Sequence, residues 1–136
     1  MKRVLLMALS ACLMWAVVAP IASVEAQAQT GTQFYMEYRK AFDAAKKVED
    51  LFPYMAAKTK AEVNSTPAKE RADMFELIKM MGTVTNVKVT KETRAGEGAT
   101  LNVDALDSEK KATKGTITLV REGGAWKLAG ESWSNQ

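Results

Sequence analysis

Apolar positions along this chain recur with three different periods, and each change of period marks a change of structure. Val4 to Ala19 is an apolar run interrupted only by Ser10. From Phe34 to Gly82 apolar residues return every three or four positions, the spacing of a helix face, and from Val87 onward they alternate with polar ones, as in a strand with one side buried. Phe34, Tyr38, Ala41, Phe42, Ala45 and Val48 form one stripe, with Glu37, Arg39, Lys40, Asp43, Lys46 and Lys47 opposite, which predicts an amphipathic helix. A second helix is predicted through Leu51, Phe52, Met55, Ala56 and Val63, capped by Asp50 with Pro53 in its first turn. Asn64-Ser65-Thr66-Pro67 ends it and starts a third, with Ser65 or Thr66 as cap, Met74, Leu77, Ile78 and Met81 as one face, Phe75 at its edge, and Gly82 as the stop.

The alternating part divides into strands at Val87 and Val89, at Ala99, Leu101, Val103 and Ala105, at Ile117 and Leu119, and at Trp126 and Leu128. Ala95-Gly96-Glu97-Gly98, Asp107-Ser108-Glu109-Lys110 and Gly123-Gly124 are the turns between them. Trp133 has the wrong parity to share a flat strand face with Trp126 and Leu128, so a bulge near Gly130 is expected to reset the side-chain direction. Helices followed by hairpin-linked strands make an α+β domain, with N-terminal helices on a curved, mainly antiparallel sheet of about four strands.

The first 28 residues carry the form of a bacterial export signal. Lys2 and Arg3 precede the apolar run, Pro20 breaks it, and Val24-Glu25-Ala26 and Ala26-Gln27-Ala28 are overlapping small-residue cleavage patterns. At 1.5 Å per residue the run reaches about 24 Å, short of the ~30 Å hydrocarbon core, which favours cleavage over anchoring. Leu9-Ser10-Ala11-Cys12 resembles a lipobox, but Cys12 lies inside the apolar run instead of ending it. The expected organisation is a cleavable signal over 1–28, a flexible lead over 29–32 and a single domain over 33–136. The expected location is the periplasm or the medium, with no stable membrane anchor after cleavage.

Composition narrows the chemistry more than it identifies it. The chain has 136 residues, no histidine and one cysteine, and that cysteine leaves with the signal. Ser-His-Asp and Cys-His nucleophiles are thereby removed, as are the usual zinc ligands, so no cofactor or metal is expected. Basic and acidic residues are nearly balanced, with a net charge of +3 for the whole chain, and they alternate instead of forming a stripe; nucleic acid is not an expected partner. Gly96-Glu97-Gly98 is a hairpin turn and no phosphate cradle, and Asn64-Ser65-Thr66 reads as a helix boundary.

Tyr38-Arg39-Lys40-Ala41-Phe42 in the first helix, Glu49-Asp50-Leu51-Phe52-Pro53-Tyr54-Met55 at the second, Gly98-Ala99-Thr100-Leu101-Asn102-Val103 in a strand, and Glu122-Gly123-Gly124-Ala125-Trp126-Lys127-Leu128 leading to Trp133 together resemble the nuclear-transport-factor-2-like (NTF2-like, cystatin-like) superfamily. The resemblance covers residues 33 to 134 and implies a cone-shaped α+β fold with an internal pocket. It transfers no catalytic residue, because the histidines of scytalone dehydratase are absent here and the tyrosine and acids of ketosteroid isomerase have no matching motif.

Two functions remain. One is an exported, non-catalytic binding or interaction domain, its cavity lined by Tyr38, Phe42, Met55, Met74, Ile78 and Trp133, for an apolar small molecule or an envelope protein. The other is a small cofactor-independent isomerase- or dehydratase-like enzyme using a pocket carboxylate and a tyrosine, with Tyr38, Tyr54 and Asp104 as nominal candidates. Alternation places Asp104 outward from Val103. A carboxylate pointing into the cavity beside a tyrosine would favour the enzyme.

Overall fold

The computed structural model describes residues 28–135; the leader, its cleavage patterns up to Gln27 and Cys12 lie outside them. Helix α1 spans Gly31–Ala44, a 3-10 helix Val48–Tyr54, α2 Ala57–Ser65 and α3 Ala68–Gly82. Strands β1 (Thr85–Ala95), β2 (Gly98–Leu106), β3 (Ala112–Glu122) and β4 (Ala125–Asn135) follow. They pair in chain order as an antiparallel meander. The α+β arrangement expected from the sequence is therefore the observed one: helices first, laid across one face of a four-stranded sheet.

Alternation works as predicted in the two central strands, where Ala99, Leu101, Val103 and Ala105 of β2 and Ile117 and Leu119 of β3 are buried while the residues between them are exposed. All of these but Ala105 meet Phe34, Tyr35, Tyr38 and Phe42 of α1 and Val48 and Leu51 of the 3-10 helix in one core. Trp126 and Leu128 complete it from β4. At roughly 25 cal/mol per Å² of apolar area removed from water, this burial is what holds a domain without disulfides together.

The helical part departs from the sequence reading in several places. Of the flexible lead expected over 29–32, Thr30 is the N-cap of α1 and Gly31 and Thr32 are its first residues. Thr30 caps it, its hydroxyl accepting from Gln33 N at 3.0 Å while Gln33 Oε1 accepts from Thr30 N at 2.9 Å, a reciprocal capping box. The first helix stops at Ala44 and the predicted second helix divides in two. Pro53 sits inside a short 3-10 segment, and Asp50 caps no α-helix: its carboxylate accepts from Lys46 N (3.0 Å) and Lys47 N (3.3 Å), and these bonds hold it below its usual pKa. Ser65 and Thr66 bond back to Glu62 O instead of capping α3, and Pro67 takes the cap position. On α3 the inward residue is Phe75, 6% exposed, whereas Leu77 and Met81, assigned to the apolar face, are 48% and 67% exposed. Arg39, assigned to the polar face of α1, is buried, and Tyr35, absent from the predicted stripe, is fully buried.

The edge strands have three register shifts, one of them at the start of β1 between Thr85 and Lys88, and the other two are bulges that bear on the site. In β1 the register shifts between Val89 and Lys91, leaving Thr90 as the extra residue, and in β4 it shifts between Leu128 and Gly130, leaving Ala129. The second is the bulge expected near Gly130, and its effect is the one required: Glu131 pairs with Ile117 and Trp133 with Gly115, on the inner face.

Candidate functional site

Each bulge reverses the alternation beyond it, and each thereby brings one carboxylate to the inner face. On β1 that residue is Glu92, paired with Leu101; on β4 it is Glu131, paired with Ile117. Both reach α1. Glu92 accepts from Gly31 N (3.3 Å), Thr32 N (3.0 Å) and Thr32 Oγ1 (2.7 Å), taking up free N–H groups at the helix start. Its partial burial raises its pKa, but the bonds from Thr32, Arg94 and Gly31 outweigh this and bring it down to about 2.

Glu131 sits under the middle of α1. Its Oε1 accepts from Tyr35 Oη at 2.8 Å, Trp133 Nε1 at 2.9 Å and Arg39 Nη1 at 3.2 Å. Arg39 is enclosed: its Nη2 donates to Gly82 O at 2.8 Å and its guanidinium lies 4.6 Å from the Phe42 ring centre. Its Nε is buried without a hydrogen-bond partner. Burial first, then the Glu131 charge, push the phenols of Tyr35 and Tyr38 above the ordinary tyrosine range, against the pull of Arg39. Both stay neutral at physiological pH.

Glu131 borders two cavities. The larger, about 560 Å³, opens between the C-terminal turn of α3, the β2–β3 turn and the end of β4. Phe42, Ile78, Met80, Met81 and Trp133 supply its apolar wall; Asp107, Glu109 and Glu131 contribute carboxylates, and no Lys or Arg lines it. A smaller one of about 220 Å³ lies under the 3-10 helix, bordered by Tyr38, Met55, Phe75, Ile78 and Leu128. Of the six residues proposed from sequence, Phe42, Ile78 and Trp133 meet at the larger cavity and Tyr38, Met55 and Ile78 at the smaller. Met74 packs against the core and lines neither. Tyr54 stacks among aromatic rings, 6.1 Å from both Phe34 and Tyr38 by centroid, and Asp104 is exposed on the outer face of the sheet.

The sequence reading missed Tyr35, Arg39 and Glu131. The signal for Glu131 was present, because the bulge that turns Trp133 inward turns Glu131 inward too, two residues earlier. Among the described residues no group of three or more His, Cys, Asp or Glu comes together to hold a metal, and no helix is long and apolar enough to cross a membrane.

No family model and no curated protein matches the chain. A crystal structure of an NTF2-like protein of unknown function from Shewanella baltica OS155 is similar, with a TM-score of 0.47 and 12% identity over 79% of this chain and 98% of that one. Helices laid on a four-stranded antiparallel sheet are the architecture that the resemblance in the sequence implies.

Proposed function

We propose that the protein is an exported, non-catalytic binding domain that takes a small, largely apolar ligand at the cavity between α3, the β2–β3 turn and β4. One observation carries this reading: a cavity of about 560 Å³, within the size range of small-molecule sites, has an aromatic and thioether wall, and each of the three carboxylates that border it already accepts a hydrogen bond or joins an ion pair. Asp107 Oδ1 accepts from Glu109 N and Lys111 N, Glu109 pairs with Lys111, and Glu131 Oε1 takes three donors. Apolar burial is then the main source of affinity, and the exposed thioethers of Met80 and Met81 adapt to varied shapes.

The enzyme reading has one observation in its favour, since Glu131 is a carboxylate beside a tyrosine at the cavity. The carboxylate nevertheless binds Arg39 and two further donors through one oxygen, which suits a structural clamp better than a free base. Titration decides between them. Decanol, followed by tryptophan fluorescence, should bind with a flat pH profile between 5 and 8, because a chain without histidine has no side chain that ordinarily titrates there. Asp104→Asn should leave affinity unchanged. Affinity that moves tenfold across that range, and loses the dependence in Glu131→Gln, would establish the enzyme-like site. Export is tested separately by intact mass: protein recovered from the cell envelope should begin at Gln27 or Gln29, and a lipid-modified chain starting at Cys12 would refute it.

A further inference from the structure

We infer that Trp133 is a fixed stacking platform and that the cavity selects flat aromatic molecules without an anionic group; this rests on the cavity being a binding site and names the ligand class it takes.

The indole is held on two sides. Its Nε1–H donates to Glu131 Oε1 at 2.9 Å, and Glu131 is itself fixed by Arg39 and Tyr35. The benzo ring lies over Gly115, its cross-strand partner. A Cβ on Gly115 would stand 2.7 Å from Trp133 Cζ3 and 2.9 Å from both Cε3 and Cη2. Three consecutive ring atoms at nearly equal distance mean a face-on contact, since an edge-on approach would leave the outer two well beyond the central one. Only glycine leaves room for this, and the β3 alternation that puts Thr113, Ile117 and Leu119 on the inner face has its gap at Gly115.

With one face on the glycine backbone and the indole bordering the cavity, Trp133 presents its other face to a ligand. A rigid aromatic face favours offset stacking with a second flat ring, and because the ring is immobilised beforehand, little ordering entropy is lost on binding. An aliphatic chain gains burial there but no such preference. Charge supplies the second criterion. Asp107, Glu109 and Glu131 border the cavity and no cationic side chain lines it; Arg39 and Lys111 are engaged with Glu131 and Glu109, so an anionic substituent meets the Asp107 charge and finds no free counter-ion.

Two probes with a shared ring framework test both halves: N-phenyl-1-naphthylamine, which is neutral, and its 8-sulfonate, which is anionic. Titrated into the mature wild-type protein, the neutral compound should bind at least tenfold tighter than the sulfonate. Trp133→Leu should weaken the neutral probe tenfold or more and decanol by a several-fold smaller factor, since decanol loses burial but no ring stacking, and Trp133→Phe should restore most of the neutral probe's loss. Gly115→Ala keeps the tryptophan but lifts its ring, and should reproduce the Leu phenotype; should Trp133→Leu not fold, this variant and the wild-type probe ratio decide. Equal affinity for the two probes would overturn the charge criterion, and neutral-probe affinity within twofold of wild type in both Trp133→Leu and Gly115→Ala would overturn the platform, each leaving the binding domain intact. Failure of folded wild type to bind either the neutral probe or decanol would refute the binding reading itself.

Discussion

Glu131→Gln is the most informative single change, because it keeps the shape of the side chain and removes only its charge. Three donors converge on Glu131 Oε1, from Tyr35, Trp133 and Arg39, and the Arg39 side chain is only 5% exposed. A hydrogen bond to a charged group contributes ~1.5 to 3 kcal/mol and a neutral one ~0.5 to 1.5 kcal/mol, so three bonds weakened together lose about 3 kcal/mol. The enclosed guanidinium then keeps only neutral partners, the amide oxygen, Gly82 O and the Phe42 ring, which approaches the ~3 to 5 kcal/mol that breaking a buried pair outright costs. Either route removes a large part of the ~5 to 15 kcal/mol that stabilises a domain. Thermal melts followed by circular dichroism should show a midpoint lower by about 10 °C or more. The double variant Arg39→Met with Glu131→Leu should recover part of the loss, since no unpaired charge remains while the Tyr35 and Trp133 donors are still unsatisfied. A fall of less than ~2 °C for Glu131→Gln would show that water already serves these groups, and the clamp argument would fail.

Other expectations follow from the same structure. Trp126 is 4% exposed, donates Nε1–H to Gln29 O at 2.9 Å and lies under the Arg121 guanidinium, so Trp126→Ala should cost ~3 to 5 kcal/mol, and a melt within a degree or two of wild type would refute its core role. Glu92 has its pKa brought from 4.5 down to about 2 in the fold, so its contribution is complete above about pH 4.5 and lost as pH falls towards 2; Glu92→Gln should flatten stability across that window, and an unchanged acid-denaturation curve would count against the tether to α1. The sole cysteine lies in the expected leader, so melts of the mature protein should be the same with and without reductant.

Periodicity conveyed the parts of this fold in which each residue answers to its own strand or helix. β2 and β3 have neighbours on both sides and no bulge between them, so alternation persists from Ala99 to Ala105 and from Thr113 to Leu119, and reading every second residue inward is correct. Helix boundaries were less legible because their decisive partners are distant in sequence. Ala57 N at the start of α2 is taken up by the Glu122 carboxylate at 3.0 and 3.1 Å, and Ala56 N donates to Leu128 O at 2.9 Å. Nothing local to residues 50–57 encodes those acceptors, and without them the apolar spacing reads as one uninterrupted helix. Arg39 shows the same dependence. On helix periodicity alone a charged residue belongs with Lys40 and Asp43, and only the arrival of Glu131 and the Gly82 carbonyl makes its burial tolerable.

The site turns on two extra residues in the edge strands. Thr90 and Ala129 are unpaired in their ladders, and beyond each of them the parity of the strand inverts. Strict alternation from Val87 and Val89 would turn Lys91 inward, and from Trp126 and Leu128 it would turn Ser132 and Ser134 inward. The bulges substitute Glu92 on one edge and Glu131 with Trp133 on the other. Both acids then bind α1, at its first turn and at its middle, so the helix is fastened from opposite edges of the sheet by carboxylates that a regular strand would have left in solvent. The device that positions the cavity's tryptophan is thus the same one that anchors the helix above it, which is why a change at Glu131 should register in stability and in ligand binding together.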